Sequence, residues 1–232
     1  MRWSMLPPLT YSGPGVNIAG VLEPAYHIAG DTFDYGVNRG VVHIAILDAM
    51  GHGLEASVMA SLAVSSYRHS RRAGLDLDEM VQAMDDALAS QFPADRFVTA
   101  QLATLDATTG RLRYVSAGHP APMLVRNGRV IGDLPTASAP PVGLALGVPE
   151  VQVAALEPGD RLLFLSDGAI EARSPEGELF GRERLGGLLE RAVASGLPSS
   201  EVMRRLMHAL LAHQQGHLQD DATLLLLEWP DG

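Results

Sequence analysis

Cysteine is missing from this 232-residue chain, and so is lysine, since all 17 basic residues are arginine. The first absence excludes disulfides, thiolate zinc sites, iron–sulfur clusters and every cysteine nucleophile. The second excludes Schiff-base chemistry and a phosphate-loop lysine. Basic charge is also in deficit, with 27 acidic residues, a formal charge of -10 and a pI near 5.2. A general binder of phosphate backbones is therefore not expected, and no nucleic-acid partner is expected. No apolar run approaches the roughly 20 residues of a membrane span. The opening MRWSMLPPLTYSGPG holds no signal-peptide core, so no membrane association and a cytoplasmic location are expected.

What is present suits one domain with a sizeable core, since 47% of the residues are hydrophobic. Residues 1–15, with Pro7, Pro8 and Pro14, read as a leader or linker remnant, and the domain as 16–232. Strands are expected over Val16–Pro24 and, around an Asn38-Arg39-Gly40 turn, over Tyr35–Leu47. Helical spacing covers Leu54 to Arg72 and stops at Gly74. Asp76, with Glu79 three residues on, caps a second helix that reaches Gln91 with Met80, Met84 and Leu88 on one face. A strand-rich meander follows from Phe97 to Ile131, with turns at Thr109-Gly110 and Asn127-Gly128. Residues 132–149 read as a long irregular loop, unusual enough to suggest a functional role. Two more strands, helices over Arg182–Ala194 and Ser199–Gln215 (Ser199 or Ser200 as cap) and a last strand over Ala222–Trp229 complete a layered α+β order.

Acids recur where apolar strands meet loops beside small residues: Asp31 and Asp34 in GDTFDY, Asp48 in LDAMGHG, Asp167 in LFLSDGAIE, Asp220 and Asp221 in DDATLLLL. A single strand-end Asp is an ordinary turn or helix cap. Four such segments are harder to read that way. If the fold draws them together, their mutual repulsion requires divalent cations, and oxygen donors without thiolate select Mg²⁺ or Mn²⁺.

Those segments, together with FVTAQLATLDATTGRLRYVSAGHPAPMLVR, resemble in order and spacing the SpoIIE- and RsbU-like branch of the PPM (type 2C) metal-dependent serine/threonine phosphatases. The match runs from about Val16 to the C-terminus. The resemblance implies a four-layer α-β-β-α sandwich, two antiparallel sheets flanked by helix pairs, with a centre of two divalent cations, Mn²⁺ or Mg²⁺. It implies that Asp48 bridges the cations, that the Ala49 carbonyl ligates one, that Asp167 and Asp220 hold the other, and that Asp31 acts directly or through water. Asp34 and Asp221 are lesser candidates. Hydrolysis of phosphoserine or phosphothreonine by a metal-bridged hydroxide is implied, on a phosphorylated anti-sigma-factor antagonist in bacterial partner switching. An upstream sensor domain or regulator, and a homodimer, are the further partners it suggests. The segment before Asp31, VLEPAYHIAG, lacks the arginine that many eukaryotic relatives use on substrate phosphate.

Other readings stand beside these. His52 in the MGHG turn is a candidate to orient water or act as general acid, or else a turn residue. His119 in SAGHP reads as structural. His208, His213 and His217 invite a zinc reading, but Gly216 interrupts the helix and no HExxH pattern exists, so they read as solvated late-helix residues. From a different functional class comes a catalytically silent interaction domain with the same fold. Degenerate relatives of that kind lose acidic ligands, whereas this chain keeps Asp31, Asp48, Asp167 and Asp220.

Overall fold

The computed structural model describes residues 5–230. Eleven strands form two antiparallel sheets among the described residues. One runs β1-β2-β11-β10-β7-β8, built from β1 (Thr10–Gly13), β2 (Val16–Glu23), β7 (Met123–Arg126), β8 (Arg129–Asp133), β10 (Arg161–Leu165) and β11 (Ala222–Glu228). The other runs β3-β4-β5-β6-β9, built from β3 (Asp31–Asn38), β4 (Val41–Ala49), β5 (Val98–Asp106), β6 (Arg111–Ala117) and β9 (Gln152–Ala155). Helices α1 (Gly53–Ala73) and α2 (Leu77–Gln91) cover the five-stranded sheet, and α3 (Arg182–Ala194) and α4 (Ser199–His213) the six-stranded one.

The apolar run VVHIAIL is explained by this layering. Because side chains alternate along a strand, Val42, Ile44 and Ile46 enter the core between the sheets, while Ala45, Leu47 and Ala49 pack under α1 and α2. On β11, Leu225 and Leu227 face the other sheet and Leu224 and Leu226 face α3 and α4. Both central strands are thus buried on two faces and read as continuous hydrophobic runs.

The helix punctuation follows local chemistry. Gly74 ends α1 in a left-handed conformation at φ 77°, the conformation glycine adopts at least cost. The Asp76 backbone N–H donates to Glu79 Oε2 at 2.8 Å, closing the expected capping box on α2. Met80, Met84 and Leu88 all reach the α1/α2 core.

Four expectations need correction. Part of the presumed leader is structural, because Thr10–Gly13 pairs with β2 from Thr10↔Ala19 to Gly13↔Val16; the first four residues lie outside the described range. The N-cap of α4 is Pro198. Ser199 Oγ instead donates to Glu228 Oε2 at 2.9 Å. His213 is buried rather than solvated, held at 2.9 Å from both the Glu178 carbonyl and Arg184, with Phe180 edge-on at 5.3 Å. Lastly, the strand expected from Tyr35 begins four residues earlier, at Asp31, so Asp34 lies inside it. The long 132–149 segment is absent from the lining of the acidic cleft described below. It crosses from one sheet to the other, pinned by Val142 against Val98 and by Asp85 of α2, which accepts the Gly143 N–H at 2.5 Å.

Candidate functional site

Strand register assembles the acids at one end of the sandwich. Asp31 opens β3 and Asp48 lies near the end of β4, and the two are direct cross-strand partners. Both project toward the space between the sheets. From the facing sheet, Thr223 of β11 donates its hydroxyl to Asp31 Oδ2 at 2.6 Å. Asp167 follows β10 and begins a single 3-10 turn, Asp167–Ala169, whose carbonyl accepts the N–H groups of Ile170 and Glu171 at 2.8 and 2.7 Å. Ser166 ties that turn to β11, with its backbone N–H donating to Thr223 O and its hydroxyl accepting the Thr223 N–H, both at 3.0 Å. Asp220 stands just before β11.

Asp48, Asp167 and Asp220 line one cleft of about 280 Å³ with His52, Tyr26, Thr99 and Gln219. Met50, Gly51 and Phe97 complete its wall. Asp31 sits behind Asp48, 5% exposed, and lines a second, apolar recess beneath α1. Ala49 is the last residue of β4 and is buried; its N–H donates to Gly30 O at 3.3 Å. His52 caps the N-terminus of α1 without a side-chain cap bond and stacks on Tyr26, ring centroids 4.8 Å apart.

The two lesser candidates are engaged elsewhere. Asp34 is three residues from Asp31, an odd number, so alternation sends it to the opposite face. There it meets Arg68 at 2.7 Å and Arg71 at 3.3 Å on α1. Asp221 turns away from the cleft and accepts the backbone N–H groups of Ala25, Gly30 and Asp31 at 2.8, 2.6 and 3.4 Å. It fastens the β2–β3 connection on which Asp31 depends. His119 is buried, its Nδ1 2.7 Å from Thr99 Oγ1, and burial pushes its pKa down to about 3, which favours the neutral imidazole.

Electrostatically the cluster is strained. Burial, and then the charges of Asp167 and Asp220, push the Asp48 carboxyl up to about 7. Asp31 is raised well above the carboxylate range by burial and by Asp48, against the opposing hydrogen bond from Thr223. Asp220 is raised by partial desolvation, opposed by the Asp221 N–H that it accepts at 2.8 Å. The donors are all oxygen and share one negative cleft, which suits a hard divalent cation. Among the described residues no three His, Asp or Glu side chains form a ready-made cage; the acids line a common opening instead.

With that geometry in place, comparison with known proteins decides the family. The family model for stage II sporulation protein E (SpoIIE) matches residues 38–230. The chain belongs to the SpoIIE family. This SpoIIE-family chain is 26% identical over 218 residues to the phosphoserine phosphatase RsbU of Bacillus subtilis, covering 91% of itself and 63% of that protein. It is 26% identical over 221 residues to the phosphoserine phosphatase RsbP of the same organism, covering 92% of itself and 52% of RsbP. It thus spans roughly half to two-thirds of these relatives. Among solved structures, the RsbU and RsbW domains of Rv1364c from Mycobacterium tuberculosis superpose with a TM-score of 0.84 at 28% identity, over 97% of this chain and 63% of that one. The two-sheet, four-helix sandwich is therefore the PP2C-like architecture that the sequence resemblance implied.

Tyr26, Gln219 and Thr99 are members of the SpoIIE-family cleft that sequence reasoning missed. Tyr26 and Gln219 sit in loops with no periodicity to place them. Thr99 was legible in principle, because β5 sets it directly opposite Asp48. No helix among the described residues is long and apolar enough to cross a membrane.

Proposed function

We propose that the chain is a metal-dependent phosphoprotein phosphatase acting on phosphoserine or phosphothreonine. The observation that carries this reading is the convergence of Asp48, Asp167 and Asp220 on one cleft with Asp31 buried behind them. The phosphoserine phosphatase relatives support it. Asp48, Asp167, Asp220 and the Ala49 carbonyl would hold two divalent cations, Mn²⁺ or Mg²⁺. When bound, such cations acidify water and polarise phosphoryl oxygens, so that water can attack phosphorus as the phosphorus–oxygen ester bond breaks. Asp31, fixed by Thr223, backs Asp48 and sets its orientation. His52, on the cleft wall against Tyr26, would deliver a proton to the departing Ser or Thr oxygen. The absence of cysteine agrees with a route that forms no phosphoenzyme. The substrate we infer is an anti-sigma-factor antagonist, as the sequence resemblance implied; the likeness to RsbU and to a chain that joins RsbU and RsbW domains supports it.

Hydrolysis of a phosphoserine peptide, titrated with Mn²⁺, tests the reading. Turnover that saturates with Mn²⁺ and stops in chelator is expected. Turnover that persists in chelator would refute the metal role, and binding of the peptide without turnover at any Mn²⁺ or Mg²⁺ concentration would establish the silent interaction domain instead. His52→Gln is expected to lower kcat by roughly 10- to 100-fold and to leave metal affinity unchanged, a smaller loss than at an acid; an unaltered kcat would return His52 to a turn role.

Stability should report the same centre. An Asp48 carboxyl at about 7 in the fold, against 3.8 as its ordinary value, keeps its proton in a window where the unfolded chain has released it. Metal-free stability therefore falls as pH rises from about 4 to about 7, by on the order of a few kcal/mol. Cations favour the ionised form, so added Mn²⁺ is expected to raise Tm at pH 7.5 and to do little at pH 5. Thermal melts across pH with and without Mn²⁺ check this, and a pH-independent metal effect would contradict it.

A further inference from the structure

At the opposite end of the five-stranded sheet from the acids, the β3–β4 turn meets the junction of α1 and α2 around a recess of about 480 Å³. Its lining includes four guanidinium groups, Arg39, Arg71, Arg72 and Arg113, and a single carboxylate, Asp76. In a chain of formal charge -10, such a concentration of positive charge is against the general trend of the surface. Asp76 offsets only one of the four, since its carboxylate pairs with Arg113 at 2.8 Å and closes the capping box of α2. Arg71 is held in place by Asp34 at 3.3 Å and lies over Gly36, where a Cβ would fall 1.6 Å from its Nη1. The side chains of Arg39 and Arg72 make no ion pair or hydrogen bond among the described residues.

Two details argue that the cluster is more than a solvated face. Arg39 occupies a left-handed turn position at φ 50°, followed by Gly40 at φ 81°. A two-residue hairpin of this kind favours Asn, Asp or Gly at that place, so an arginine there is kept at some conformational cost. The side chain of His43 also lines the recess, and its Nδ1 is buried without a hydrogen-bond partner, a buried polar atom that calls for a partner. Beside the charges, Val41 and Leu75 supply an apolar wall. The volume is within the range of small-molecule sites, and arginine forks match phosphate oxygens in two-point contacts.

We propose that this recess is a binding site for a phosphate-bearing small molecule carrying at least two negative charges, separate from the acidic cleft. Arg39 and Arg72 grip the phosphate, Arg71 and Arg113 form the floor, and the Val41–Leu75 wall accepts an apolar or ring portion. Because the recess joins the end of α1 to the start of α2, a bound anion would cross-link the two helices to the β3–β4 turn.

Titration calorimetry of the full chain in metal-free buffer, with inorganic pyrophosphate and with ADP as probes, tests the proposal. Saturable one-to-one binding of both is expected, weakening as salt is raised. The double variant Arg39→Ser, Arg72→Gln should weaken both at least tenfold without altering the fold by circular dichroism, since both side chains are exposed. Asp48→Asn should leave both affinities unchanged. No saturable binding, or equal affinity in wild type and double variant, would overturn the proposal; loss of binding in Asp48→Asn would place the anion in the acidic cleft and overturn it equally.

Discussion

Asp48→Asn is expected to abolish phosphoserine-peptide hydrolysis and at the same time to make the metal-free protein more stable. The activity loss should be roughly 10³-fold or more, because the side chain faces the cleft together with Asp167 and Asp220 and, on the proposed function, would supply charge that balances cations and a phosphoryl group. The stability gain has the same origin. Asp48 is pushed up to about 7 by burial and by its acidic neighbours, so at pH 7.5 the wild-type fold carries an ionised carboxylate against their field. An amide of the same shape removes that repulsion. A gain of about 1–2 kcal/mol corresponds to several degrees in Tm for a chain of this size. Functional sites commonly hold this kind of strain, and activity and stability then move in opposite directions. Paired melts and rate measurements decide the matter. Rates equal to wild type would reject the assigned centre, while a Tm that drops in step with the rate would mean that Asp48 supports the fold rather than the chemistry.

Gly168→Ala should be as damaging although it removes no ligand. A Cβ at Gly168 would lie 2.1 Å from the Asp221 carbonyl oxygen and 3.0 Å from its carbon, backbone atoms at the start of β11 that cannot swing aside. Either the 3-10 turn or the strand must move, and Asp167 belongs to the first and Asp220 to the approach to the second. Overpacking against backbone costs roughly 1–3 kcal/mol or more, and the spacing of the two carboxylates changes with it. Expected are a lower Tm and a Mn²⁺ midpoint for activity shifted at least tenfold upward. Gly187→Ala is the control, since its Cβ would meet only the end of Arg191, at 3.4 Å, on α3. Helix propensity there favours alanine by up to about 1 kcal/mol. If both variants behave alike, close packing between the turn and β11 is not what spaces the acids.

The contrast between these glycines marks what could be read before the fold was known. Helix α2 was legible in full, because the Asp76–Glu79 capping box, the Met80–Met84–Leu88 stripe and the absence of breakers all act within a few residues. The acids were legible as a set by their strand-end positions. Their division was only half legible. Alternation along β3 separates Asp31 from Asp34 but does not say which of the two looks into the cleft, and Asp220 and Asp221 precede β11, where no alternation applies. Arg68 and Arg71, a helix away, claim Asp34, and the amides of Ala25 and Gly30 claim Asp221. His213 misled for a similar reason, since its burial comes from Glu178 and Arg184, far along the chain.

Composition and local pattern were thus sufficient for the exclusion of thiol and amine nucleophiles, for the four helices and most strands though not for β1 or the start of β3, and for a supply of oxygen donors fit for hard cations. Those properties depend on side-chain chemistry and on backbone preferences a few residues long. Sheet packing alone made a cleft of them. The Thr223 hydroxyl reaches Asp31 across 192 positions and the Gly30 amide reaches Asp221 across 191. Contacts at that separation are set by how two sheets stack and in which register, an outcome of burying the whole core at once, which no short window of sequence contains.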